Sequence, residues 1–189
     1  MAEEPHPPRV LIAGVGNVLR GDDGFGVVAA WGLLARDDLP QGVKVIETGI
    51  GGMSLVQELM SGYDALILLD ACRRGGAPGR LHLLEPDVPN AAGLDPQTRR
   101  DYFADTHYAT PIRALALLQA IAHLPTVIRI VGCEPECVDD FQLGLSAAVE
   151  AAVDEAASLV MKLIDEFHGR KPTACLRVSV TGEIAGKVD

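Results

Sequence analysis

Three short β-type segments constrain the fold of this chain more than any other feature. They read RVLIAGV (residues 9–15), ALILLD (residues 65–70) and TVIRIV (residues 126–131). A strand that is apolar at consecutive positions needs cover on both faces of its sheet, because its side chains alternate between the two faces. Helical patterns separate the three segments. The sequence therefore predicts a three-layer α/β domain.

The pattern between these segments completes the predicted order of elements. Residues 1–8 are interpreted as a flexible tail, residues 9–168 as one domain, and residues 169–189 as a C-terminal tail of unknown role. The polar segment 85–109 has no clear periodicity, which is typical of functional or mobile loops. The further predicted strands are residues 43–47 and 80–84, and the predicted helices are 24–36, 52–61, 110–123 and 146–167.

Composition excludes several classes of protein. Sixteen basic and 26 acidic residues give a net charge of −10, which disfavours nucleic-acid binding. No apolar run approaches the roughly 18 residues that span a bilayer, and the N-terminus MAEEPHPP lacks the pattern of a signal peptide. We therefore expect a cytoplasmic protein with no membrane partner, in which the four cysteines are free thiols.

The densest chemical signal is the glycine-rich segment GVGNVLRGDDG, residues 14–24, between the first strand and the first helix. It is not a dinucleotide-binding GxGxxG, since Leu19 stands where the third glycine belongs, and it contains no GK[ST]. Two carboxylates, Asp22 and Asp23, precede the helix. One of them can cap the helix, and the other is then available as a cation ligand or a general base.

Two further side chains are predicted at the same edge of the sheet. Asp70 ends a buried strand, and His107 lies three residues before Thr110, the predicted N-cap of a helix. A helix N-terminus favours neutral imidazole, which is the form that binds metals. The alternatives are a capping role for Asp70 and simple solvation for His107. Together Asp23, Asp70 and His107 suit a borderline divalent metal with open positions for a substrate.

Other catalytic sets are weak. GxSxG and HExxH are absent, and CEPEC (residues 133–137) has no second cysteine pair to close a zinc site. Cys133 is interpreted as a buried thiol. A redox or metal-contact role for Cys72, two residues after Asp70, is a minor alternative. The remaining histidines are assigned structural roles; they are His6, His82, His123 and His168.

Several segments in order resemble the hydrogenase maturation proteases. They are GVGNVLRGDDGFGV, LILLDA, the THY-type histidine and VGCEPE. The resemblance implies a three-layer α/β/α fold around a twisted, mostly parallel five-stranded sheet. It also implies that Asp23, Asp70 and His107 form the metal-binding and catalytic site. Residues implied to border the substrate cleft are Asn17, Thr48, Gly49 and Gly51.

The resemblance also implies an activity. Members of this family are endopeptidases that trim the C-terminus of the nickel–iron hydrogenase large-subunit precursor after it has received nickel. The nickel, carried by the substrate, is what the three site residues would recognise, and a purified sample can have an empty site or another divalent metal. Two other interpretations remain at this point: a non-catalytic nickel-dependent checkpoint module, and a nucleotide-binding α/β enzyme.

Overall fold

The computed structural model describes residues 7–90, 97, 110–139 and 141–169, and the backbone of 176–177. Within these residues the chain forms six strands, four α-helices and one 3-10 helix. The strands are β1 (Val10–Val15), β2 (Val43–Gly49), β3 (Ala65–Ala71), β4 (Leu81–Glu85), β5 (Val127–Cys133) and β6 (Leu176–Arg177). The helices are α1 (Phe25–Leu34), α2 (Gly52–Leu59), α3 (Pro111–Ile121) and α4 (Ala147–Phe167), with the 3-10 helix at Gly21–Gly24.

All strands join one sheet in the order β2-β1-β3-β5-β4-β6. The four strands β2, β1, β3 and β5 are parallel, and β4 runs antiparallel to β5. The predicted mostly parallel five-stranded sheet is confirmed, and the two-residue β6 pairs parallel to β4 at its edge. Since β1 and β3 are neighbours, their carboxyl ends meet at one edge of the sheet.

Helices cover both faces of the sheet. Val10 and Ile12 point to the face where α1 and α4 pack, whereas Leu11 and Ala13 point to the face where α2 and α3 pack. All four strand residues are completely buried. The apolar run of β1 thus serves two cores, and the predicted three-layer arrangement is confirmed.

The start of α3 is fixed by local chemistry. The Thr110 hydroxyl accepts a hydrogen bond from the N–H of Arg113, and Pro111 occupies the first turn of α3. Only five residues, 122–126, separate the end of α3 from the start of β5. Helix α3 therefore ends near the amino edge of the sheet and begins toward its carboxyl edge.

Some predictions fall outside the described residues. These include the first six residues of the N-terminal tail, His107 with most of the polar segment 85–109, and Cys175 with nearly all of the C-terminal tail. Among the helices that the structure does describe, none is long and apolar enough to cross a membrane.

Candidate active site

The glycines of the first loop allow close packing of backbone. Gly16 has a φ of +131°, and a Cβ there would lie 1.8 Å from the carbonyl oxygen of Asp23. A Cβ on Gly26 would lie 2.0 Å from the carbonyl oxygen of Leu69 in β3. These contacts press the loop and the start of α1 against the ends of β1 and β3. The glycines are thus explained without a phosphate-binding role.

Asp22 is a structural residue. Its side chain is 1% exposed and accepts hydrogen bonds from the N–H groups of Ser146 (2.6 Å), Glu136 (2.8 Å) and Cys137 (3.3 Å). The Ser146 hydroxyl donates a fourth, at 3.0 Å. Burial by itself raises the pKa of Asp22, but the hydrogen bonds from Ser146, Glu136 and Cys137 outweigh it and leave the pKa below its ordinary value.

The helix-capping prediction for this pair of acids is wrong. The N-cap of α1 is Gly24, and no side chain caps it. The 3-10 helix that contains both acids leads directly into α1, so neither carboxylate is in position to cap it. Asp22 instead binds the backbone N–H of Ser146, the residue that caps α4.

Asp23 faces the end of the sheet. It is partly buried, and its Oδ2 accepts the N–H of Asn17 at 3.0 Å. The Asn17 side chain in turn accepts the N–H of Leu19 at 3.0 Å, which holds the loop in a tight turn. Within the described part of the chain no hydrogen bond reaches Oδ1 of Asp23, so this oxygen is available to a ligand.

Asp70 lies next to Asp23. It is the penultimate residue of β3 and pairs in register with Gly132 of β5. Burial raises the pKa of Asp70 to about 8, and the negative charge of Asp23 adds to the rise. The expectation that these two acids meet at one edge is confirmed. A carboxylate pair in such surroundings favours a shared proton or a bound cation.

The end of β2 and the loop that follows it border the same edge. The Thr48 hydroxyl donates to the carbonyl oxygen of Gly14 at 3.3 Å, and the N–H of Gly16 donates to the carbonyl oxygen of Gly49 at 3.0 Å. Gly51 is the N-cap of α2. These residues adjoin the loop of Asn17 and Asp23, while their contact with a substrate stays a prediction.

His107, the third predicted ligand, lies outside the described residues. In the part of the chain that is described, no three His, Cys, Asp or Glu side chains are grouped closely enough to hold a metal ion. The position of α3 is relevant here. Leu66 and Leu68 face the α2/α3 layer, and Asp70 follows in the same alternation. Helix α3 covers that face, and its N-cap Thr110 lies three residues after His107.

A family model described as hydrogenase maturation protease, HycI, matches residues 29–163. The chain belongs to the hydrogenase maturation protease family. It is 32% identical over 160 residues to the hydrogenase expression/formation protein HoxM of Azotobacter vinelandii, in an alignment that covers 84% of this chain and 73% of the relative. It is 30% identical over 160 residues to the hydrogenase 2 maturation protease of Escherichia coli, covering 84% and 92% of the two chains.

Solved structures of family members share the fold of this maturation protease. The hydrogenase maturating endopeptidase HybD from Escherichia coli aligns with a TM-score of 0.67 and 29% identity, over 84% of this chain and 93% of its own. A hydrogenase 2 maturation peptidase from a Thaumarchaeota archaeon aligns with a TM-score of 0.60 and 33% identity, over 83% and 98%. The chain is accordingly a peptidase.

Sequence reasoning missed the task of Glu134 in this protease. Its carboxylate is 4% exposed and accepts the N–H groups of Arg74 at 2.8 Å and Gly75 at 3.0 Å. Burial by itself raises the pKa of Glu134, but the hydrogen bonds from Arg74, Gly76 and Gly75 and the contact with His82 outweigh it. The pKa is therefore below its ordinary value. Glu134 thus fixes the turn that follows Asp70. The segment VGCEPE was the available signal, but it does not reveal which turn the glutamate holds.

The described cysteines of the protease are free thiols, as predicted. Burial raises the pKa of Cys72 to about 11 and that of Cys133 to about 12. Both groups are therefore protonated near neutral pH and weakly nucleophilic. Cys133 is completely buried, which confirms its interpretation as a buried thiol. The Cys72 sulfur fills the space beside Gly132, where a Cβ would approach it to 2.2 Å.

Proposed function

We propose that this protease removes the C-terminal extension of a nickel–iron hydrogenase large-subunit precursor, and that Asp23, Asp70 and His107 recognise the nickel which that precursor carries. One observation carries the proposal. Two carboxylates from different elements meet at the carboxyl edge of the sheet, where burial and mutual repulsion raise the pKa of Asp70 to about 8. A divalent cation would relieve that repulsion.

The donor set fits nickel. Carboxylate oxygen and imidazole nitrogen are ligands for borderline divalent metals, and three protein ligands leave positions open for groups of the substrate. The topology supports the inclusion of His107, since α3 begins toward the carboxyl edge on the face to which Asp70 points. The Asn17 N–H would hold Asp23 with its second oxygen turned to the metal.

This arrangement would make cleavage depend on metal loading. A precursor without nickel would offer Asp23 and Asp70 no cation to bind, so binding would favour the loaded precursor over the empty one. A metal held by these residues would supply polarisation of a carbonyl or a lowered pKa of bound water. If the metal serves only for recognition, Asp23 or Asp70 acts as general base in an aspartyl-type reaction. The free thiols support the predicted cytoplasmic location.

The experiment is a cleavage assay with purified protein and a large-subunit precursor, prepared with and without nickel, read by C-terminal mass spectrometry. We expect loss of one defined peptide from the nickel-loaded precursor alone. Nickel-dependent association without cleavage would support the checkpoint module instead. Neither cleavage nor association with several precursors would contradict the proposal.

Site variants test the assignment of residues. We expect Asp23→Asn, Asp70→Asn and His107→Ala each to lower the processing rate by at least about 100-fold, since each removes a ligand or a base. Far-UV circular dichroism should show that all three variants fold. Glu155→Gln is the matched control, an exposed carboxylate on α4. Any site variant that processes the precursor at the wild-type rate removes that residue from the site.

A further inference from the structure

Three exposed apolar residues lie on paired backbone segments that adjoin the loop of the candidate active site. Leu19 is 50% exposed, Phe141 89% and Leu143 79%. Single exposed apolar residues are common on protein surfaces and need no explanation, whereas a contiguous group beside a cleft is typical of an interaction site. We call these three residues the apolar rim.

Backbone pairing brings the rim residues together from distant parts of the sequence. The N–H of Gln142 donates to the carbonyl oxygen of Leu19 at 3.0 Å, and the N–H of Gly21 donates to that of Gln142 at 2.8 Å. Arg20 and Gln142 thereby form a parallel bridge. This pairing places Leu19 next to the backbone segment that carries Phe141 and Leu143.

The rim is attached firmly to the site. Leu19 belongs to the same loop as Asp23, and the hydrogen bond from the Asn17 N–H to Asp23 closes the part of the loop that contains Leu19. The segment that carries Phe141 and Leu143 is fixed before and after them by Asp22, through Glu136 and Ser146. The apolar rim is therefore continuous with the loop that positions Asp23.

We propose that the apolar rim binds apolar side chains of the extended C-terminal segment of the precursor, next to the bond that is cut. This inference rests on the proposed function. A protease must hold chain on at least one side of the scissile bond, and extended chain presents alternate side chains to one surface. The exposed side chains of the rim offer such chain an uncharged surface beside the two acids of the site.

A second copy of the chain fits the rim poorly. Stable protein pairs bury roughly 1,600 Å² in total, far more than three side chains supply. Each copy also carries a net charge of −10, so two copies repel each other. A short segment of substrate has neither difficulty.

The test is steady-state processing of the nickel-loaded precursor by the double variant Phe141→Ser/Leu143→Ser. We expect KM to rise about tenfold or more while kcat stays within about threefold, because the rim binds substrate without touching the reacting atoms. The apolar replacement Phe141→Leu/Leu143→Met should keep the wild-type KM. The matched control is Met60→Ser/Ile121→Ser, whose residues are 61% and 58% exposed at the ends of α2 and α3.

Each outcome decides between the proposals. If wild-type protein does not cleave any loaded precursor, the proposed function fails. If it cleaves and the Phe141→Ser/Leu143→Ser variant has the wild-type KM, or if the control variant raises KM equally, the rim proposal alone is wrong.

Binding to mature large subunit, which lacks the extension, supplies the last comparison. If the Phe141→Ser/Leu143→Ser variant loses equal affinity for precursor and mature subunit, the rim binds the folded part of the large subunit and not its extension. If the wild-type protein is a dimer and this variant is a monomer, the rim binds a second copy of the chain. Either result overturns the proposal.

Discussion

At the scale of single residues, two adjacent aspartates have different tasks. Asp22 is buried with four hydrogen-bond donors around its carboxylate. Asp23 accepts one backbone N–H and faces Asp70. Their residue type is the same, so the difference comes from the direction in which each side chain leaves the 3-10 turn. An acidic pair in a sequence therefore does not by itself imply two functional carboxylates.

The Asp70 carboxyl should make stability depend on pH. An aspartate in an unfolded chain titrates near pH 3.9, whereas the pKa of Asp70 in the fold is about 8. Between these values the native state holds a proton that the unfolded state has released. The free energy of unfolding therefore falls as pH rises through this window.

We expect Asp70→Asn to remove this dependence. Since one pKa unit corresponds to about 1.4 kcal/mol, the variant should gain roughly 1–3 kcal/mol over wild type at pH 8.5 and less at pH 5.5. Urea unfolding at the two pH values measures the difference. The fold lowers the pKa values of Asp22 and Glu134, so their protonation lowers the free energy of unfolding only at more acidic pH. A gap between variant and wild type that is equal at both pH values would contradict this prediction.

At the scale of elements, the fold depends on two junctions. One joins the 3-10 helix to the start of α4 through Asp22. The other packs α1 on the ends of β1 and β3 through Gly26. Both junctions lie under the candidate site, so they set the position of Asp23.

The first junction predicts a large effect of Asp22→Ala. The substitution leaves the N–H groups of Glu136, Cys137 and Ser146, which surround the buried Asp22 carboxylate, without their acceptor. Such groups cost about 1–3 kcal/mol each when buried and unsatisfied. Allowing for water at the vacated position, we expect the free energy of unfolding, measured with urea, to fall by about 3 kcal/mol. Ser146→Ala, which removes the α4 cap and one donor to Asp22, should lose about 1 kcal/mol. If both variants lose the same amount, the carboxylate is not the centre of the junction.

The second junction predicts opposite effects for two glycines of one helix. A Cβ on Gly26 would lie 2.0 Å from the Leu69 carbonyl oxygen and 2.4 Å from that of Val15. We therefore expect Gly26→Ala to destabilise the protein by about 3 kcal/mol. Gly32 has no heavy atom within 4 Å of its would-be Cβ, so Gly32→Ala should add up to about 1 kcal/mol through helix propensity. Thermal unfolding of both variants is the measurement, and a stable Gly26→Ala would show that α1 can shift.

At the scale of the whole molecule, the candidate site links parts of the fold that are distant in sequence. Asp23 belongs to the β1–α1 loop, Asp70 to β3, and His107 precedes α3. A ligand that contacts all three stabilises the entire domain against unfolding, because the unfolded chain cannot present them together.

Nickel alone should reveal this linkage. At a free concentration of 100 times Kd, a ligand that binds only the native state adds about 2.7 kcal/mol of stability. We expect Ni²⁺ to raise the Tm of tag-free wild-type protein and a chelator to reverse the rise. Asp70→Asn should show little or no increase. An equal increase in this variant would place the nickel at another site.

Much of this architecture is predictable because the relevant signals are local. The bounds of β1, β3 and α4 follow from apolar periodicity, and the start of α3 follows from Thr110 and Pro111. The meeting of Asp23 and Asp70 is predictable from a general property of parallel sheets, whose strands end at one edge. The tasks of Asp22 and Glu134 are not predictable in this way, since their partners come from other loops.

The sequence by itself determined β1 to β5, the four α-helices, the two covered faces and the edge where the acids meet, because alternation and capping act over a few residues. Only the tertiary structure decided which aspartate is structural, which turn Glu134 holds and where the apolar rim forms. Asp22 binds residues 114 and 124 positions away, and Glu134 binds one 60 positions away. Contacts over such separations depend on how the whole chain packs, and they leave no periodic pattern in the sequence.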